Sequence, residues 1–204
     1  MNKNEDMNGM ELQGFDSIMN EQKQLKNQGD SYLLNKEFVK AEEIYNKILT
    51  NIGNLPNVTG EIDISQEQTN TMLSLLKGVY GNLSLAQAKQ FKLTEAINTT
   101  TYILTKLDPY YDKGYIRIIK WLIVLEQFER ALEVENQIKT MFTNTKQFEE
   151  VLSFLHMKKE ENDKRKRNVL SRESYINSNT LILGCFSIGF SILFIGLAWK
   201  YFKR

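Results

Sequence analysis

The sequence predicts an all-α protein of repeated helical hairpins, followed by an apolar helix near its C-terminal end. Two prolines in 204 residues and a charged fraction of 25% favour helices. Three segments align with one another, and each has an apolar first helix, a short polar turn and a second helix with an alanine at a fixed place. A run of twenty uncharged residues, 180–199, gives the final helix.

The three aligned segments predict helix–turn–helix repeats. They are residues 25–49, 80–104 and 115–139, with their alanines at Ala41, Ala96 and Ala131. The second and third alanines stand 35 residues apart, close to the period of about 34 residues that such repeats have. Gly29, Ser84 and Ile119 share one position on the first helices, where a small residue lets the two helices of a repeat approach closely. Ile119 therefore departs from the pattern.

Two further segments complete the predicted repeat region. The first two alanines are 55 residues apart, and turn-forming residues over 51–66 predict a loop, followed by an extension of the next helix over 67–77. After Thr145, apolar residues recur on one side of a final helix, which predicts a cap over the last repeat. These residues are Phe148, Leu152, Leu155 and Met157.

The second and third repeats resemble a known family. They contain GNLSLAQAKQFKLTEAI (residues 81–97) and LDPYYDKGYIRIIKW (residues 107–121). These motifs are similar to the tetratricopeptide repeats of the large FKBP-type immunophilins, in which a long spacing between the first two repeats is also typical. The resemblance covers residues 24–159 and implies a solenoid of three repeats with a capping helix. It implies the adaptor half of such a protein without the isomerase domain, because too few residues precede the first repeat.

In that family, a carboxylate clamp in the concave groove binds the C-terminal EEVD motif of heat-shock chaperones. The resemblance implies that the clamp here consists of Lys26, Asn82, Lys113 and Arg117. Cations and amide donors give charge-assisted hydrogen bonds to a terminal carboxylate. At one clamp position the family has an asparagine, whereas this sequence has Asp30. The carboxylate of Asp30 cannot donate a hydrogen bond, and it repels a ligand carboxylate by roughly 3 kcal/mol at about 5 Å. Lys26 precedes Asp30 by four residues, so the two can pair.

The apolar run predicts a membrane span, because twenty helical residues cover about 30 Å, the thickness of a bilayer core. The N-terminal residues contain no apolar segment of the signal-peptide type, so we expect a tail anchor with the bulk of the chain in the cytosol. The expected organisation is a disordered segment 1–20, a repeat domain 21–160, a basic juxtamembrane linker 161–179, the span 180–199 and a short basic tail 200–204.

The cations around the span favour a membrane surface. Residues 158–173 carry a net positive charge, which favours contact with anionic lipid, and the alternative is a solvated helix face. The moderate apolarity of the span and its short basic tail favour the mitochondrial outer membrane, with the endoplasmic reticulum as the alternative.

The composition limits the chemistry. A net charge of +1 gives no support to bulk electrostatic binding of nucleic acid. One Cys and one His exclude a disulfide framework and a Cys/His zinc site, and His156 is expected to pack on an apolar stripe. The sequence has no phosphate-binding loop and no nucleophile–base set, so we expect no enzyme, cofactor, metal or small-molecule substrate.

The sequence therefore predicts a binding protein. We expect a membrane-anchored adaptor, similar to a co-chaperone, that binds the C-terminal acidic peptide of a partner of the heat-shock chaperone type. The alternative is a receptor or scaffold for membrane-protein complexes, in import or organelle dynamics, without chaperone binding.

Overall fold

A computed structural model describes residues 3–54 and 65–172, with side chains from residue 14 onward. Within these ranges the protein is all-α, as predicted. The helices are α1 (Lys3–Leu34), α2 (Phe38–Gly53), α3 (Gln66–Lys89), α4 (Leu93–Tyr102), α5 (Asp112–Val124), α6 (Phe128–Met141) and α7 (149–172). A π-helical turn, Ile103–Leu107, extends α4, and a 3-10 turn, Lys146–Phe148, precedes α7.

The chain divides into two compact units, Met1–Leu155 and His156–Arg204. In the first unit, consecutive helices from α1 through α6 pack against one another, and α1 also contacts α3. This serial packing is typical of stacked helical hairpins. The described part of the second unit, residues 156–172, is helical.

The three hairpin turns share one backbone geometry. Lys36, Phe91 and Glu126 have positive φ angles of 63°, 61° and 54°. In each turn, the amide of the following residue donates to a carbonyl five residues earlier, which satisfies the end of the first helix. The donor–acceptor pairs are Glu37 to Tyr32, Lys92 to Gln87 and Gln127 to Leu122, at 2.9, 3.0 and 2.9 Å. The turns therefore recur at the spacings at which the aligned alanines recur.

The aligned alanines and the residues facing them lie in the core. Ala41, Ala96 and Ala131 are fully buried, as are Ser84 and Ile119. Gly29 is buried too, and a Cβ at this position would lie 2.8 Å from Cε1 of Tyr45. The small residue is thus required where the facing side chain is a tyrosine. In the other hairpins the buried residue four positions after the alanine is Thr100 or Glu135.

Two apolar clusters hold the first unit together. One is built from α1, α2 and α3, around the fully buried Tyr45 and Ile48. The other is built from α4 to α7 and includes Phe148, Val151 and Leu155, with Leu152 packed against it. The capping residues Phe148, Leu152 and Leu155 thus lie in the core, whereas Met157 is 46% exposed. His156 is exposed, so the prediction that it packs on an apolar stripe is wrong.

The N-terminus differs from its prediction. Residues 3–20 belong to α1, whereas the sequence predicted disorder over residues 1–20. Phe15 and Met19 are 3% and 2% exposed, and Gln22 continues the same helix face. Phe15 and Met19 belong to the first apolar cluster, and their burial stabilises this part of α1.

The C-terminal predictions lie largely outside the described residues. The basic segment predicted as a linker is helical through residue 172. The predicted span 180–199 and the basic tail 200–204 fall beyond the described part. Among the helices of residues 3–54 and 65–172, none has a stretch apolar and long enough to cross a bilayer.

Candidate functional site

Asp30 is the centre of a hydrogen-bonded network that joins the first three helices. Lys26 Nζ donates to its Oδ2 at 2.6 Å. The Tyr45 hydroxyl, from α2, and the Asn82 side-chain amide, from α3, both donate to its Oδ1 at 2.7 Å. The carboxylate of Asp30 thus accepts hydrogen bonds from three side chains, two of which were predicted to hold a ligand.

Two glycines let the network form. Gly29 leaves room for the ring of Tyr45, which places the hydroxyl beside Asp30. Gly78 on α3 lies under Lys26, because a Cβ there would be 3.0 Å from Lys26 Cε. The spacing of Lys26 and Asp30 puts both on one face of α1. Local sequence and close helix packing therefore act together to bring these groups into contact.

The network fixes the protonation of its members. Burial by itself raises the pKa of Asp30. The hydrogen bonds from Lys26, Tyr45 and Asn82 together lower the pKa by more than burial raises it, so the pKa lies below its usual value. Asp30 is therefore ionised at neutral pH. Burial and the neighbouring Asp30 raise the pKa of Tyr45, so its hydroxyl keeps its proton and remains a donor.

A second group of residues lies where α5 meets α3. Arg117 Nη1 donates to the backbone carbonyl of Gly81 at 2.9 Å, and the guanidinium lies 5.9 Å from the ring centre of Tyr111. A Cβ at position 81 would lie 3.4 Å from the Tyr111 hydroxyl and 3.6 Å from Arg117 Nη1. Gly81 uses one of the five N–H donors of the guanidinium. Lys113, one turn earlier on α5, is exposed.

Helix α3 connects the two groups through adjacent residues. Asn82 contacts Asp30 on the α1 side, and Gly81 contacts Arg117 on the α5 side. The structure thus joins Lys26 and Asn82 through Asp30. Arg117 of α5 contacts α3 at Gly81, the residue before Asn82. We call the surface that carries Lys26, Asp30, Asn82, Lys113 and Arg117 the α1–α3–α5 face.

Sequence reasoning missed two tyrosines that contact members of this face, Tyr45 and Tyr111. The signal for Tyr45 was available, since it lies four residues after Ala41 on the buried side of α2, opposite Gly29. Tyr111 lies in the turn before α5, and no sequence pattern points to its contact with Arg117. Within the described residues, no group of three or more His, Cys, Asp or Glu side chains is placed to hold a metal ion.

An open cleft between α1 and the N-terminal half of α3 adjoins this face at Lys26. It is lined by Lys23, Lys26, Glu67, Asn70, Thr71, Ser74 and Leu75. The start of α3 is held by a capping box, in which Ser65 Oγ accepts from the Gln68 amide and Gln68 Oε1 accepts from the Ser65 amide. The cap fixes where α3 begins and so positions one wall of the cleft.

The class of this protein follows from its fold and this face. Within residues 3–54 and 65–172 it is an all-α protein of stacked helical hairpins, with a polar surface on their first helices. No protein-family model matches the chain, and no curated protein matches it significantly.

Proposed function

We propose that this protein is a membrane-anchored adaptor with tetratricopeptide-like repeats, which binds the C-terminal acidic peptide of a partner on its α1–α3–α5 face. One observation carries the proposal. Side chains from α1 and α5 meet α3 within residues 78–82, where Lys26 lies on Gly78 and Arg117 donates to Gly81. Cationic groups from two hairpins therefore converge on one short stretch of α3.

The charge of the face supports an anionic ligand. Lys26, Lys113 and Arg117 are opposed by Asp30 and by Asp112, which lies beside Lys113, so these five groups still carry a net charge of +1. Lys113 and Arg117 stand four residues apart, about 6 Å along the helix axis. A terminal carboxylate that contacts both gains charge-assisted hydrogen bonds, and a guanidinium binds carboxylates in a two-point geometry. The adjoining cleft gives room for the residues that precede the carboxylate.

The membrane part of the proposal rests on residues 180–199 and on the charge order before them. Three acids at the start of residues 158–172 are paired with lysines. The pairs are Glu161 with Lys158, Asp163 with Lys159 and Glu160 with Lys164, at 2.8, 3.1 and 2.8 Å. The later turns carry Arg165, Lys166, Arg167 and Arg172, which favour an anionic headgroup layer. The mitochondrial outer membrane is the preferred location.

Peptide binding tests the proposed function. The full chain in detergent micelles is titrated with a fluorescent peptide that ends in EEVD, and binding is followed by fluorescence anisotropy. We expect saturable binding that is lost when the peptide's C-terminal carboxylate is amidated. Lys113→Ala and Arg117→Ala each weaken binding by about tenfold or more, because each removes a hydrogen bond between charged groups.

Lys47→Ala is the matched control, since Lys47 is an exposed lysine of α2, away from the α1–α3–α5 face. It should leave the affinity unchanged. Binding that is indifferent to amidation, or that persists fully in Arg117→Ala, contradicts the proposal.

The second candidate function is a receptor or scaffold for membrane-protein complexes. One observation favours it: the carboxylate of Asp30 already accepts hydrogen bonds from Lys26 and Asn82. If neither the wild-type protein nor Asp30→Asn binds the EEVD peptide, the face serves a partner of different chemistry.

A further inference from the structure

We infer that Asp30 is a built-in competitor for the ligand's carboxylate, which holds Lys26 and Asn82 so that an acidic peptide is anchored at Lys113 and Arg117. The inference rests on the proposed function and names the part of the face that takes the carboxylate. It makes Asp30 a specificity-determining residue.

The competition follows from shared donors. Lys26 Nζ lies 2.6 Å from Oδ2 of Asp30, and the Asn82 amide lies 2.7 Å from Oδ1. A ligand carboxylate at this end of the face requires the same two donors. It would also stand beside the negative charge of Asp30, which repels it. An internal group needs no association step, so it competes at a high effective concentration.

The packing keeps Asp30 in place. Its carboxylate is held from α1, α2 and α3, and the third donor, Tyr45, is fully buried in the core. Because the tyrosine ring is fixed by that packing, its hydroxyl cannot follow Asp30 outward. Movement of Asp30 away from Lys26 and Asn82 would therefore leave this hydroxyl without its acceptor, which is costly.

The α5 end of the face differs. Arg117 contacts a backbone carbonyl and an aromatic ring, neither of which is charged. Lys113 is exposed, and the neighbouring Asp112 accepts from its backbone amide rather than from its ammonium group. The ligand class that fits is a peptide whose terminal carboxylate lies at α5. Its residue beside Asp30 is neutral or donates a hydrogen bond, because an acid there meets like charge.

The test compares the full chain in detergent with three variants, using the same fluorescent EEVD peptide. Asp30→Asn frees Lys26 and Asn82 and should tighten binding by about tenfold or more. The double variant Lys26→Ala, Asp30→Ala removes both members of an ion pair, so the affinity for the peptide should stay the same or rise. Arg117→Ala should lose about tenfold or more. Helical circular dichroism and its thermal transition verify that each variant is folded.

The outcomes separate the two proposals. If the wild-type protein binds but the paired variant loses as much affinity as Arg117→Ala, Lys26 contacts the ligand and the inference is wrong. Wild-type binding with no gain in Asp30→Asn also overturns it. An absence of binding in every protein instead refutes the proposed function, and with it the carboxylate ligand that Asp30 is inferred to exclude.

Discussion

The first hairpin, α1–α2, and the third, α5–α6, share a turn but differ inside. Their turn residues Lys36 and Glu126 have φ angles of 63° and 54° with the same hydrogen bonds. In the first hairpin the residue four positions after the alanine is Tyr45, whose hydroxyl reaches Asp30 on the other helix. In the third it is Glu135, which pairs with Lys139 on its own helix at 2.7 Å.

The same hairpin backbone therefore supports two kinds of surface, one with a polar network around a carboxylate and one with cationic side chains. Where the first helix has a glycine, a large side chain from the second helix crosses over and closes a polar network around Asp30. Where it has Ile119, the interface is filled from the first helix. The cations of α5 are then left to meet α3 and the solvent. The first and third hairpins thus differ both in the interior residue, Gly29 or Ile119, and in the contacts of the charged side chains on their first helices.

The largest expected effect comes from shortening the residue that fills the third hairpin. Ile119→Ala should lower the free energy of unfolding by about 2–5 kcal/mol, because it removes buried methyl groups and leaves a cavity. Urea unfolding followed by circular dichroism measures it. Val124→Ala, on the same helix at a side chain that is 67% exposed, should change stability by no more than about 0.5 kcal/mol. Equal losses in both would mean that Ile119 does not fill this interface.

The next effect comes from enlarging the equivalent position of the first hairpin. Gly29→Ala should destabilise the protein by about 1–3 kcal/mol, since the added Cβ overpacks the core against Tyr45. Unfolding in urea again gives the value. Gly53→Ala is the matched control, because a Cβ there meets nothing within 4 Å. A neutral Gly29→Ala would show that the two helices are able to separate without cost.

The smallest effect concerns the charge in the first hairpin's network. The pKa of Asp30 is lowered in the folded protein, so its ionised form adds stability above its ordinary pKa, and this is lost as the pH falls through the lowered value. At neutral pH, Asp30→Asn should cost about 1–2 kcal/mol.

Unfolding measured from neutral pH down to about pH 2 checks this sign. The two proteins should converge in acid, while Asp108 and Glu42, whose pKa values are also lowered, are present in both and cancel. A difference that is constant over the whole range would show that the charge of Asp30 is not what stabilises the network.

Local features of the fold were predictable because they depend on neighbours in the chain. The spacing of Ala41, Ala96 and Ala131 predicted where the hairpin turns recur, and the capping residues after Thr145 were read from a helical period. The start of α1 was not predicted. Its sequence is largely polar, and the burial of Phe15 and Met19 against other helices stabilises α1 around these two residues.

The sequence by itself determined the helical class, the repeat spacing and the pairs that lie four residues apart, Lys26 with Asp30 and Lys113 with Arg117. Such pairs follow from the pitch of a helix. Tertiary structure alone decided that Tyr45 and Asn82 meet Asp30 and that Arg117 meets Gly81, because these contacts join residues 15, 52 and 36 positions apart in the chain. Contacts of that range depend on how closely the helices pack, and the absence of a Cβ at Gly29, Gly78 and Gly81 leaves room for the side chains that make them.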